Sequence, residues 1–208
     1  MVVSAQTKRF IKLQVVQGQL KTARKVHDRL MELGVKKPLL TTKHMKRRLA
    51  WAKKYQNWTT DDWRRVVFSD ETKVNIWGSD GFKHGGGSLM MWGCMTYEGP
   101  GYACRIYDGT MYSDLYQHIL DTTLRETMKY YDMDWSTAHF QHDGDPKHRS
   151  KSTIQWLNAN RVSYIDDWPA QSPDLNPIEH LWHHLKLKLS LYDKKAKGVH
   201  ELSLQKVY

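Results

Sequence analysis

Apolar residues recur along this chain in two rhythms, and each change of rhythm marks an element. Over 7–16 and 22–33 they fall at helical spacing (Phe10 and Leu13; Val26, Leu30 and Leu33), with Gly18 between the stretches and Gly34 after them. That is the pattern of two helices joined by a turn, shared by ordinary helical hairpins and by helix-turn-helix units. A third helix is predicted over 43–55, with Thr42 as its N-cap and Met45, Leu49 and Ala52 on one face. Residues 57–63 read as a turn, with Trp58 and Trp63 expected to pack against the next domain.

The rhythm then shortens. Apolar and β-branched residues over 66–77, 89–96 and 102–107 predict three strands, turned by glycine-containing segments at 78–81 and 97–101. A long helix over 112–130 places Leu115, Ile119, Leu124 and Met128 inward, and a strand at 137–141, a helix at 151–158 and a strand at 162–165 come after it. The last helix has the clearest start. Pro169, Pro173 and Pro177 bar regular structure up to Asn176, and Asn176-Pro177 reads as an N-cap with proline in the first turn. Leu181, Trp182, Leu185 and Leu189 give this helix a packing face, while Glu179 sits in its first turn, where the helix dipole favours a carboxylate. The order β-β-β-α-β-α-β-α implies an α/β fold, a mixed five-stranded sheet with flanking helices, because parallel neighbours need right-handed crossovers.

Charge divides the chain further. The 208 residues carry a net +10 at a sequence pI near 9.5, yet residues 1–54 alone hold 15 Lys and Arg against 2 acids, leaving the remainder slightly acidic. A basic segment separable from the rest favours a polyanionic partner such as nucleic acid. Lys46, Arg47 and Arg48 cluster on the 43–55 helix and read either as a solvated face or as a phosphate-tracking linker and nuclear import signal. Cys94 and Cys104 are the only cysteines, which excludes a disulfide framework and a cysteine-based zinc motif. No run approaches a signal peptide or a membrane span, so the cytosol or nucleus is expected, with no membrane partner. Gly85-Gly86-Gly87 lacks the Gly-Lys-Ser/Thr ending of a phosphate-binding loop and precedes a strand.

The candidate chemistry lies in acids drawn from distant parts of the chain: Asp70 inside a predicted strand, Asp143 just past another, and Glu179 opening a helix. With the motifs Phe68-Ser69-Asp70-Glu71, Lys83-His84-Gly85-Gly86-Gly87-Ser88 leading into Trp92-Gly93-Cys94, Asp143-Gly144-Asp145-Pro146-Lys147-His148, and the stretch from Trp168 to Trp182, the sequence resembles Tc/mariner superfamily transposases. The resemblance runs from about Lys36 to Leu202. It implies an RNase H-like catalytic domain whose Asp, Asp, Glu triad maps onto Asp70, Asp143 and Glu179. These would ligate two Mg²⁺ or Mn²⁺ ions, hard cations suited to a carboxylate-only site. Asp145 lies close enough to compete with Asp143, although the family motif assigns the first acid.

The implied activity is DNA transposition, metal-dependent strand cleavage and transfer on double-stranded DNA, performed in the nucleus by a homodimer on DNA; the alternative is a catalytically impaired, transposon-derived DNA-binding protein. The implied division is a partial helix-turn-helix region at 1–35, a basic helical linker at 36–63, the catalytic domain at 64–192 and a tail at 193–208. Lys21, Arg24, Lys25, Lys36, Lys37, Lys43, Lys46, Arg47, Arg48, Lys147 and His148 are the expected DNA contacts. Against the family pattern, the chain reads as shortened at both ends, between Leu33 and Lys36, where a recognition helix is expected, and between the first two strands, where Asp80-Gly81-Phe82-Lys83 stands for a longer segment.

Overall fold

The computed structural model describes residues 40–75, 88–107 and 111–191. The two N-terminal helices and the tail expected from the sequence, together with Lys21, Arg24, Lys25, Lys36 and Lys37, lie outside these residues. The elements are α1 (Thr42–Lys54), α2 (Thr60–Arg64), β1 (Val66–Asn75), β2 (Ser88–Met95) and β3 (Pro100–Ile106). Then come α3, β4 (His139–Gln141), α4 (Lys151–Ala159) and α5 (Ile178–Ser190). α3 is one helical run in three segments, Ser113–Ile119, a π-helical turn Leu120–Leu124, and Arg125–Tyr130. Among the described residues no helix is long and apolar enough to cross a membrane.

The sheet has four strands in the order β3-β2-β1-β4, with β1 antiparallel to β2, β2 antiparallel to β3, and β4 parallel to β1. The mixed sheet and its meander are as the pattern implied. The fifth strand is reduced to a single bridge, Phe140 to Tyr164, in which Phe140 N–H donates to Ser163 O at 2.8 Å and Ile165 N–H donates to Phe140 O at 2.9 Å. Asp166-Asp167 and Pro169 come directly after it, and neither an acidic pair nor a proline extends a ladder.

Strand alternation assigns each face of β1 a different neighbour. Val67 faces a core of Trp92, Ile106, Phe140, Leu157 and, from α3, Tyr116, Leu120 and Leu124, several of them with no exposed surface at all. The π turn keeps Tyr116, Leu120 and Leu124 on one buried line. On the other face Val74, Leu89 and Met91 meet Leu189 of α5, and Val66 and Phe68 meet Trp51, Tyr55, Ile165 and Trp168.

That second cluster corrects the expected orientation of α1. Met45 and Leu49 are exposed, and the inward stripe is half-buried Arg48 with buried Trp51 and Tyr55. Size decides: two aromatic rings bury more apolar area than Met and Leu and find edge-on partners, Trp51 against Trp168 at 5.1 Å and Tyr55 against Trp58 at 4.7 Å. Trp58 and Trp63 pack here as expected. The N-cap is Thr41 rather than Thr42: its hydroxyl accepts from His44 N–H at 3.2 Å, and His44 Nδ1 accepts from Thr41 N–H at 3.5 Å, a capping box made with histidine.

Trp51→Ala is expected to lower stability by about 3 kcal/mol, a Tm loss of roughly 6–12 °C, in one cooperative transition. A thermal melt in which this variant unfolds like the wild type would show that α1 is not part of the domain's core.

Candidate active site

Ser69 ties together the elements that carry the three candidate acids. Its N–H donates to Gln141 Oε1 (3.1 Å) and its hydroxyl to Gln141 O (2.8 Å), locking β1 to β4. Its carbonyl accepts from Asn176 Nδ2 (3.1 Å), while Asn176 Oδ1 accepts from the Ile178 N–H (3.3 Å) at the start of α5. α5 opens at Ile178 with Pro177 in the N-cap place and no side-chain cap, so Asn176, the cap that the sequence predicted, lies one residue before that place; it still accepts from the first helical N–H and straps α5 to β1. Asp70 comes directly after Ser69, Asp143 lies two residues after Gln141, and Glu179 three residues after Asn176.

Glycine sets the depth of α5. Gly93 of β2 pairs with Asp70, and a Cβ added there would lie 2.6 Å from Trp182 Cη2 and 3.3 Å from the Ala103 Cβ. Trp182 thus reaches the sheet only because residue 93 has no side chain, and Glu179, one turn earlier on the same helix, comes down with it.

The charges respond to this gathering. Burial first, then the carboxylates of Glu179, Glu71 and Asp143, raise the pKa of Asp70 to about 8. Burial likewise raises Glu179, against the opposing charge of Lys186. Asp143 behaves differently. Burial pushes it up, but the hydrogen bond from His148, that ring's charge, and the Asp145 N–H outweigh burial and bring it down to about 2. No three His, Cys, Asp or Glu side chains among the described residues stand close enough to enclose an ion as they are. The triad is an electrostatic cluster with excess negative charge.

Other expected site residues are placed less simply. Lys43, Lys46 and Arg47 are exposed on α1. Arg48 is not a free phosphate contact: it forks onto Asp174 at 2.9 and 2.5 Å and donates to Ser172 Oγ at 2.5 Å, clamping α1 to the Pro173–Leu175 turn. Its amphipathic spacing beside Trp51 explains why it turned inward with that residue. His148, expected as a DNA contact, is 2% exposed, with Nδ1 2.7 Å from Asp143 Oδ1 and Nε2 3.1 Å from Glu71 Oε1, so both ring nitrogens are taken up by carboxylates and not presented to a phosphate. Lys147 is mostly buried and held by Asp145 at 2.8 Å and Glu71 at 3.7 Å. Asp145 thus takes the Lys147 ammonium as its partner.

The roles of Ser69, Gln141 and Gly93 are set by partners far along the chain, side-chain amides and backbone atoms for Ser69 and Gln141 and an aromatic edge for Gly93, which no local pattern reveals. Glu71 is on the β1 face opposite Asp70, as alternation dictates, but its pairing with His148 was not foreseen.

The family model for DDE superfamily endonucleases matches residues 80–203. Asp143 and Glu179 fall within that match and Asp70 ten residues before it, so the place of Asp70 rests on the sheet. The chain is 37% identical over 198 residues to the transposable element Tc1 transposase of Caenorhabditis elegans, a match covering 80% of this chain and 69% of that one. It is 39% identical over 181 residues to the Tcb1 transposase of Caenorhabditis briggsae, covering 74% and 63%. It thus spans about two thirds of the length of these curated relatives. Among solved structures it is similar to the catalytic domain of Mos1 mariner transposase, with a TM-score of 0.63 at 18% identity over 81% of each chain. It is also similar to the Mos1 transposase paired-end complex with the left transposon end, with a TM-score of 0.63 at 17% identity over 97% of this chain and 69% of that one. At these identities the likeness establishes the fold, an RNase H-like α/β architecture.

Packing and charge at the site can each be tested by melting. Gly93→Ala forces Trp182 to move and should cost about 1–3 kcal/mol by thermal denaturation; an unchanged Tm would mean that Gly93 does not set the depth of α5. Asp70, its pKa raised, contributes stability that is complete below its ordinary value of ~4 and is lost as pH rises through about 8. Asp143, its pKa lowered, contributes above ~4 and loses that contribution as pH falls through about 2. Without divalent ions, Asp70→Asn should therefore melt about 3 °C or more above the wild type at pH 8 and lose that advantage near pH 4. Equal melting temperatures at pH 8 would remove the charge repulsion at Asp70.

Proposed function

This chain belongs to the Tc/mariner family of DDE superfamily endonucleases, and on that footing we propose that it is a DNA transposase, cleaving double-stranded DNA at element ends and joining a 3′-hydroxyl to target DNA. The observation that carries the reading is the convergence of Asp70, Asp143 and Glu179 around the Ser69 hydrogen bonds, with Asp70 raised to about 8 by burial and by the other acids. Carboxylates gathered at that cost are an incomplete charge arrangement that a cation completes.

The donor set fits Mg²⁺ or Mn²⁺: oxygen ligands only, partly exposed, with net negative charge. Two such ions, when bound, neutralise the attacking and leaving oxygens of an in-line displacement at phosphorus and lower the pKa of a bound water. Asp70, whose pKa is raised by both other acids, would hold both ions, Asp143 one and Glu179 the other. The strap through Asn176 and the Gly93–Trp182 contact hold Glu179 over the strand that carries Asp70. Solved Mos1 structures include a catalytic domain with Mg and a paired-end complex with Mn, which supports the choice of metal and of a DNA substrate.

Exposed Lys43, Lys46 and Arg47 on α1 supply phosphate attraction. The 1–35 region as a partial helix-turn-helix unit, assembly as a homodimer on DNA, and residence in the nucleus belong to the same reading.

The deciding experiment is Mn²⁺-dependent nicking and strand transfer on supercoiled plasmid. Asp70→Ala and Glu179→Ala are expected to reduce both steps about a hundredfold or more. A wild-type chain that folds and binds DNA but neither nicks nor joins it would sink the enzymatic reading in favour of a binding-only protein. In the salt dependence of DNA binding, replacing Lys46 and Arg47 together by Ala should flatten the slope of log K against log salt by about 2, and Arg48→Ala should leave it unchanged. Equal effects would mean that Arg48 leaves Asp174 for phosphate.

A further inference from the structure

We infer that His148, braced from behind by Glu71, is a positioning residue that fixes the carboxylate of Asp143 for metal binding; this rests on the metal-site reading above. Asp143 lies beyond the last residue of β4, with its side chain half-exposed, so the ladder no longer holds it. Its contacts come instead from His148 Nδ1 at 2.7 Å and from the Asp145 N–H at 3.0 Å, and both fall on Oδ1. The carboxylate is thus turned by one oxygen, which leaves Oδ2 as the atom that would meet a cation.

The imidazole can act as a fixed lever because it is itself held on three sides. Its ring lies against Tyr116, centroids 4.2 Å apart, on the α3 side of the sheet. His142 stands 5.5 Å away by ring centroid, and Nε2 meets Glu71 Oε1 at 3.1 Å. Glu71 is fixed in turn by Lys147 Nζ, 3.7 Å from its second oxygen, and Lys147 by Asp145 at 2.8 Å. Glu71 is the residue after Asp70 in β1. One strand therefore holds one acid of the site directly on its α5 face and, through Glu71 and His148, orients a second from its α3 face. Groups that orient a metal-binding side chain typically change affinity by about 10–100-fold when lost.

A ring that only filled space would be replaced equally well by either amide; a positioning ring would not. Asparagine at 148 carries its amide nitrogen near the Nδ1 position, within reach of Asp143, whereas glutamine carries it near the Nε2 position, toward Glu71. Mn²⁺ binding to the full chain without DNA, read from the free-ion electron paramagnetic resonance signal, tests this. His148→Asn is expected to stay within about threefold of wild-type affinity and His148→Gln to fall about tenfold. Melting temperatures compare the two variants' folding directly. Asn and Gln variants that bind Mn²⁺ equally, whether like the wild type or weakly, overturn the inference. If Asp70→Ala abolishes binding in that same case, the metal-site reading survives without it; a wild-type chain that binds no Mn²⁺ overturns both.

Discussion

Acids that repel one another do not gather without something else holding their backbones, and here that is a set of hydrogen bonds one to three residues away from the acids. Ser69 uses its N–H, hydroxyl and carbonyl to bind Gln141 and Asn176, so that β1, the end of β4 and the start of α5 meet at a single peptide. Each bond contributes only about 1 kcal/mol net, but all are buried, and a buried donor or acceptor left without its partner costs more than the bond contributed. The arrangement is fixed by what would be lost rather than by what is gained. Charge is therefore the dependent quantity: the elements that carry the acids are held together, and Asp70, buried and in the field of the other carboxylates, binds its proton more tightly.

The sheet divides the labour between its faces. On one side Gly93 lets Trp182 settle against β2, bringing α5 close. On the other, Tyr116 and the layer of His142 and His148 fill the space beneath Asp143 with rings rather than aliphatic side chains. α3 supplies Tyr116 and the segment after β4 the two histidines, and the π-helical turn keeps Tyr116 in line with Leu120 and Leu124 so that α3 also seals the apolar core.

Much of this was legible in the order of residues, for identifiable reasons. The strands, the α3 and α5 faces and the start of α5 within one residue of Pro177 are local patterns, set by side-chain period and proline, and they survive folding. The positions of Asp70 and Glu179 come from the same patterns, since a residue's face on a strand or helix is fixed by counting. What was not legible depends on competition between distant partners. Met45 and Leu49 have the right spacing for burial, but Trp51 and Tyr55 offer more area and won the interface. Arg48 has the charge for a phosphate, but Asp174, more than a hundred residues later, stands within reach of both its amino groups. The same holds for His148, whose place beside two carboxylates depends on a sheet that no local window reveals. The fifth strand reads strongly as a strand and is cut to a bridge by the acidic and proline residues directly after it.

The burial of Trp51, Tyr55 and Arg48 against the Trp168 to Leu175 segment has a consequence for how such a protein can be remodelled. A graft that replaces the residues before α1 by foreign ones has to be spliced upstream of Thr41. A junction placed at the first strand, where the sheet itself begins, would strip the cover from Val66, Ile165 and Trp168 and leave Asp174 without its cation. The edge of the sheet domain thus lies at α1 and not at its first strand, and the helix that looks like a connector folds as part of the domain.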